Sequence, residues 1–241
     1  MNRQSYVVAV VLARGGSTRL PGKNLRPLMG QPLVSWAIRS ALASRCDRVV
    51  LSTDCEDIAA AGTTAGAEVP FVRPAALSGN TPAEEVTRHA IEFLEARDGQ
   101  RVDVVVTMQP TTPFLKSSDI DACLRLLEDN PSLESAFTVG PAHQRPEWMY
   151  VPQGDGLASK LQDGVTRGEA GVTQCLPPLY HPNGGAYASR RRLLMEDHAL
   201  VAVNTGIVVM DRLHSVDIDE EIDFITAEAV ARHLQSAPGG A

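Results

Sequence analysis

Tyr6 to Leu12 (YVVAVVL) is the segment that most restricts what this chain can fold into. It is short, apolar throughout and mostly β-branched, so it reads as a strand rather than a helix. Successive side chains of a strand point to opposite faces, so an unbroken apolar run is buried on both. That demands a sheet covered on each side. Asp47–Thr53 (DRVVLST) and Val102–Met108 (VDVVVTM) repeat the pattern. Between and after these strands, segments 33–44, 57–67, 82–97 and 118–129 have helical character, with Asp54 and Thr81 as expected N-caps. A short strand is expected at 136–139. Strand and helix in alternation predict an α/β fold on a largely parallel sheet. Ligands of such sheets lie beyond the carboxyl ends of the strands, where the loops 13–28 and 109–117 begin.

From about Gly140 to Tyr180 the periodic runs stop, and Pro, Gly, Gln and charged residues dominate. This predicts an insert, 140–180, that serves as an arm pairing with another subunit. The α/β domain is then 1–139 together with 181–241, resuming at 184–188 and 206–210 and closing with a helix over 220–235.

The bulk numbers exclude some functions. The 241 residues carry a formal net charge of −7, which argues against general nucleic-acid binding. None of the four cysteines, Cys46, Cys55, Cys123 and Cys175, forms a C-x-x-C pair, so reduced thiols are expected. The six histidines, at 89, 143, 181, 198, 214 and 233, show no metal-ligand spacing. No apolar run is long enough to span a membrane. The apolar run near the N-terminus lacks a small-residue cleavage site and reads as a strand, not a signal peptide, so a cytoplasmic location is expected.

Four segments carry candidate chemistry. Leu12–Leu28 (LARGGSTRLPGKNLRPL) follows a buried strand and combines glycines with the cations Arg14, Arg19 and Lys23. Glycines let backbone N–H groups approach a phosphate, and fixed cations neutralise it. It is not a Walker A loop, since five residues separate Gly16 from Gly22 and Asn24 follows Lys23; nor does it fit G-x-G-x-x-G. In SVDIDEEIDF, 215–224, Asp217 and Asp219 would share one face of a strand, a pairing that suits Mg²⁺ with phosphate oxygens; the other reading is an acidic helix start. QPTTP, 109–113, places the Gln109 amide just beyond a strand, and HPNGGAY, 181–187, contains an Asn-Gly turn signal.

Together with LSTD at 51–54 and VRPAALSGNT at 72–81, these segments resemble, in order, the acylneuraminate cytidylyltransferase family, the CMP-sialic acid synthetases. The resemblance implies a three-layer nucleotide-diphospho-sugar transferase-like fold with a small dimerisation insert, and hence a homodimer. It implies that CMP is transferred from CTP to a nonulosonic, sialic acid-like sugar acid with release of pyrophosphate, and that Mg²⁺ is the cofactor. Carried over residue by residue, Arg14, Lys23, Asp217 and Asp219 are catalytic. Ala13, Arg14, Gly15, Lys23, Asn24 and Arg73 bind the nucleotide. Gln109, His181, Asn183 and Tyr187 bind the sugar, and Asp217 and Asp219 bind the metal. The family's sialate-specific members carry Lys at the position of Thr18 and arginines at those of Thr173 and His181. The run STRLPGK, 17–23, is instead that of the related Kdo cytidylyltransferases, the alternative reading. The acceptor acid is left open by these departures.

Overall fold

The structure, a computed structural model, describes residues 5–142, 144–161 and 176–236. In chain order its elements are β1 (Val7–Leu12), β2 (Pro27–Leu28), β3 (Gln31–Pro32), α1 (Leu33–Leu42), β4 (Arg48–Ser52), α2 (Glu56–Ala65), α3 (Ala83–Asp98), β5 (Val104–Met108), α4 (Ser117–Asp129), β6 (Ser135–Pro141), β7 (Tyr150–Gly154), β8 (Leu157–Lys160), β9 (Tyr180–Arg190), α5 (Arg191–Met195), β10 (Thr205–Val209) and α6 (Glu221–Ser236). A six-stranded sheet runs in the order β10-β6-β9-β5-β1-β4. Strand β1 pairs parallel with both β4 and β5, and β10 pairs parallel with β6. Only β9 runs against its neighbours.

The double burial expected of β1 is present. Val7, Ala9 and Val11 enter one apolar cluster with Val34 and Ile38 of α1, Ile58 of α2 and Ile120 and Leu124 of α4. Val8 and Val10 enter another with Ile91 and Leu94 of α3 and Leu194 of α5. Helices therefore cover both faces, giving the α/β three-layer fold predicted. A third cluster joins Leu20 and Leu28 to Ile218, Phe224 and Ala227, and so packs α6 against the loop that follows β1.

Several local expectations are corrected. Asp54 does not cap α2: Cys55 occupies that position, and Asp54 Oδ1 accepts the Gly15 N–H at 2.8 Å instead. Pro82 precedes α3, while Thr81 bonds back to the Ala76 carbonyl. Asn183-Gly184 is not a hairpin turn. It lies within β9, where the register against β6 jumps from Phe137↔Tyr187 to Val139↔Pro182. Gly184 sits in this bulge at φ +74, a conformation that glycine adopts without strain.

Between β6 and β9 the described residues include the hairpin β7–β8, a two-stranded sheet of its own. It leaves Tyr150, Val151 and Leu157 exposed. No helix among the described residues is long and apolar enough to cross a membrane.

Candidate active site

The site is built at the carboxyl ends of β1, β4 and β5. Ala13 extends β1 by donating its N–H to the Ser52 carbonyl at 3.1 Å, with its side chain buried. The chain then folds back on itself. Buried Asn24 donates from Nδ2 to the Arg14 carbonyl at 2.9 Å, closing the loop. Gly22, at φ +69, opens a short turn in which the N–H groups of Leu25 and Arg26 both reach its carbonyl. Arg26 anchors the far side: it pairs with Glu221 of α6 at 2.5 and 2.7 Å and lies 3.9 Å over the Phe224 ring. Cation and carboxylate recognise each other in a two-pronged geometry, so the loop is held in place before any ligand arrives.

A cavity of about 370 Å³ opens over this loop. Arg14, Arg19, Lys23 and Arg73 line it, and Asp219 is the one carboxylate in its wall among the described residues. Arg14 donates to the Gly79 carbonyl and, at 3.1 Å, to Asn80 Oδ1. Arg73 is 5% exposed and donates to the carbonyl and hydroxyl oxygens of Ser52, with no carboxylate in salt-bridge range among the described residues. Burial, and then the nearby charge of Arg14, hold its pKa below the ordinary arginine value, against the opposing charge of Asp54. Lys23 Nζ donates to the Ile218 carbonyl at 2.7 Å and to Asp219 Oδ1 at 3.1 Å. The cavity is thus a concave surface of fixed positive charge, suited to an oligophosphate.

The segment carrying Asp217 and Asp219 is irregular rather than a strand. It is tied by the Ile218 N–H, which donates to the Thr111 carbonyl at 2.8 Å. Ile218 is fully buried, and the aspartates flank it. Burial, and next the charge of Asp219, raise the Asp217 pKa above the usual carboxylate value, opposed by the neighbouring Thr111 hydroxyl and by Lys23. Asp217 Oδ1 and Thr111 Oγ1 are both buried and, although the two side chains are neighbours, neither makes a hydrogen bond of good geometry among the described residues.

A second cavity, about 390 Å³, adjoins the first, and Ala83 and Gln109 line both. Tyr187 forms part of its wall, stacked on Phe137 at 5.6 Å, and burial pushes its hydroxyl pKa up. His198 also lines it, at φ +54 and in contact with Arg88 of α3. Neither His198 nor Arg88 was a sequence candidate; their meeting depends on α3 and the segment after α5 coming together, and no local pattern announces it. Of the sugar-side candidates, Gln109 and Tyr187 face this cavity. His181 is exposed and lies outside both cavities, with Nδ1 donating to the Pro182 carbonyl. Asn183 is fully buried and in neither wall: its Oδ1 accepts from Thr138 and from the Gly185 N–H, and its Nδ2 donates to Ser215. It holds the bulge and the aspartate segment together. Gly15 is held by Asp54 beside the loop rather than in the cavity wall. Thr173, the other position of the family's sugar side, lies outside the described residues.

The profile of the family described as cytidylyltransferase matches residues 8–152, from β1 into β7. The chain belongs to the cytidylyltransferase family. The enzyme is 30% identical over 237 residues to the CMP-N,N'-diacetyllegionaminic acid synthase of Legionella pneumophila, covering 96% of this chain and 98% of that one. It is 29% identical over 238 residues to N-acylneuraminate cytidylyltransferase A of Danio rerio, covering 94% of this chain and 51% of that one. The solved structure of CMP:2-keto-3-deoxy-manno-octonic acid synthetase complexed with CTP shares the fold, with a TM-score of 0.70 at 19% identity over 95% of this chain and 99% of that one. This cytidylyltransferase is accordingly a nucleotidyltransferase, and the resemblance drawn from its sequence motifs is borne out at the level of the family.

Proposed function

We propose that the enzyme joins CMP from CTP to a nonulosonic, sialic acid-like sugar acid. The observation that carries this is the pair of adjoining cavities, one walled by four cations and the other by Tyr187, which meet at Gln109. CTP fits the first and the acid the second. A sugar-acid hydroxyl attacks the α-phosphorus, the bond to the bridging oxygen breaks, and pyrophosphate leaves. Transfer of this kind depends on alignment and on neutralising charge that develops on phosphate oxygens. Arg14 and Lys23 hold the triphosphate, Asn24 shapes the loop beneath it, and Arg73 supplies buried positive charge. Gln109, at the junction, orients the acceptor.

The residues fit a Mg²⁺ cofactor. Asp217 Oδ1 is buried beside the Thr111 hydroxyl without a well-formed hydrogen bond among the described residues, which leaves it available to a cation. Asp217 and Asp219 would hold the ion, with waters and phosphate oxygens completing its shell. Bound there, it would neutralise phosphate charge and lower the pKa of the attacking hydroxyl.

The exposed apolar hairpin β7–β8 supports a homodimer in which it is the pairing arm. Light scattering showing a monomer at micromolar concentration would contradict that. The free thiols of Cys46, Cys55 and Cys123 suit the cytoplasm.

The test is incubation with CTP, Mg²⁺ and a panel of legionaminic, pseudaminic, sialic and Kdo acids, following pyrophosphate. Release with one or more of the nonulosonic acids is expected. Release with Kdo alone would favour the alternative acceptor, and none with any acid would overturn the reading.

A further inference from the structure

His198 stands where glycine would sit without strain. It follows α5 at φ +54, a conformation that residues with a side chain rarely adopt. The residue is exposed, so core packing does not hold it there. Its side chain meets Arg88 of α3, 110 positions away in the chain: Arg88 Nη1 contacts Nδ1, with Nε2 farther off at 3.3 Å. A guanidinium only donates, so Nδ1 accepts and the ring proton is on Nε2. Arg88 is itself placed by Glu92, one helical turn on, at 3.5 Å. His198 lines the second cavity with Gln109, Tyr187 and Glu84, and among the described residues no lysine or arginine is in that wall.

We propose that His198 is a specificity-determining residue for the acceptor, whose Nε2–H, backed by Arg88, receives the carboxylate of the sugar acid. This rests on the reading of the second cavity as the acceptor site. An acid entering that cavity meets the Glu84 carboxylate in its wall. Like charges repel, so selection for an acid requires a compensating donor and positive charge. His198 supplies the donor. Arg88 supplies the charge through the ring, because a cation bonded to Nδ1 polarises the Nε2–H and strengthens the bond it gives to a carboxylate. Arg88 is thus a positioning residue that acts through His198. Backbone strain of the kind found at His198 gathers at ligand contacts, where the side chain it holds is put to use.

His198→Ala removes the donor at an exposed position, and His198→Gln returns an N–H near the place of Nε2. Pyrophosphate release with CTP and Mg²⁺ is followed for the most active of the legionaminic, pseudaminic, sialic and Kdo acids. The carboxamide of that acid is titrated as a competitive inhibitor. In His198→Ala, KM for the acid should rise by about tenfold, as expected for loss of a hydrogen bond to a charged group, with KM for CTP unchanged. His198→Gln should recover most of this. Inhibition by the carboxamide, which lacks the charge, should be the same in wild type and His198→Ala. Arg88→Met should raise KM for the acid, and adding it to His198→Ala should raise it no further. An unchanged KM for the acid in His198→Ala, or an equal loss for acid and carboxamide, would overturn the carboxylate contact while leaving the proposed function standing. Additive effects of the two substitutions would overturn the role of Arg88 through the ring. Absence of pyrophosphate release by the wild-type protein with every acid would overturn the proposed function instead, and the contact with it.

Discussion

Asn183 Nδ2 donates a 2.8 Å hydrogen bond to Ser215 Oγ, and Ser215 opens the segment that carries Asp217 and Asp219. The same carboxamide accepts from Thr138 at 2.7 Å and from the Gly185 N–H at 3.2 Å. Two strands, β6 and β9, and the aspartate segment thus converge on one buried side chain. Asn183→Ala leaves these donors and acceptors buried and unpaired, at an expected cost of about 2–3 kcal/mol in urea unfolding. Turnover should drop, since the aspartate segment loses its tether, with KM for the sugar acid little changed. A variant of normal stability whose only defect is a raised KM for the acid would instead make Asn183 an acceptor contact.

Lys23 links the nucleotide loop to the aspartate segment across 195 positions of sequence, through the Ile218 carbonyl at 2.7 Å. Lys23→Met removes both this bond and the fixed charge at the cavity floor. The expected result is a loss of about 10²–10³ in kcat with CTP, the scale seen when one preorganised donor to a developing charge is removed. Lys23→Arg should recover little, because a planar fork does not fit a site shaped for a compact ammonium. Steady-state kinetics checks both, and near-normal turnover in Lys23→Met would remove Lys23 from the catalytic set.

How far the sequence led depends on whether a residue's partner is near it in the chain. The β1 strand was legible because both faces of YVVAVVL are apolar, and no other arrangement buries it. The loop of Arg14 and Lys23 was legible because glycines and cations after such a strand have few structural uses. Asp54 was misread because its local setting, just before a helix, is that of a cap, whereas the group that claims its carboxylate, the Gly15 N–H, is 39 residues away. Asn183 was misread for the same reason. Asn-Gly signals a turn locally, but Thr138 of β6 and Ser215 of the segment before α6, both far along the chain, bind the side chain and bury it in a bulge. Asp217 and Asp219 do flank a buried Ile218, but no strand is formed there: the segment is tied by the Ile218 N–H to the Thr111 carbonyl, by Lys23 to the Ile218 carbonyl and by the Asp219 and Glu220 N–H groups to Asp223.

Tyr187 lines the second cavity while its ring stacks on Phe137, with planes 19° apart. Tyr187→Phe keeps the stacking and removes only the hydroxyl. Stability and CTP binding should be unchanged, and KM for the sugar acid should rise by about 5- to 10-fold, the worth of one neutral hydrogen bond. The measurement is KM for each substrate separately. A rise in KM for CTP with none for the acid would reverse the assignment of the two cavities.

Asp217 connects charge to stability with a definite sign. Burial and the Asp219 charge raise its folded pKa above the unfolded value of an ordinary carboxylate. The folded state therefore binds more proton than the unfolded state between those two values. Stability falls as pH rises through that window and stays at its lower level above it. Asp217→Asn cannot ionise, so without divalent cations it should melt at a higher temperature than wild type at neutral pH. The difference should vanish once the pH is below the ordinary carboxylate range, where Asp217 is protonated in both states. Turnover should be lost at every pH, because a neutral amide cannot take a carboxylate's place beside the phosphates. Thermal melts against pH in chelator, paired with activity measured in Mg²⁺, test both halves. A variant that melts lower than wild type at neutral pH would mean that the Asp217 charge is satisfied within the fold, and its Oδ1 would no longer point to a cation.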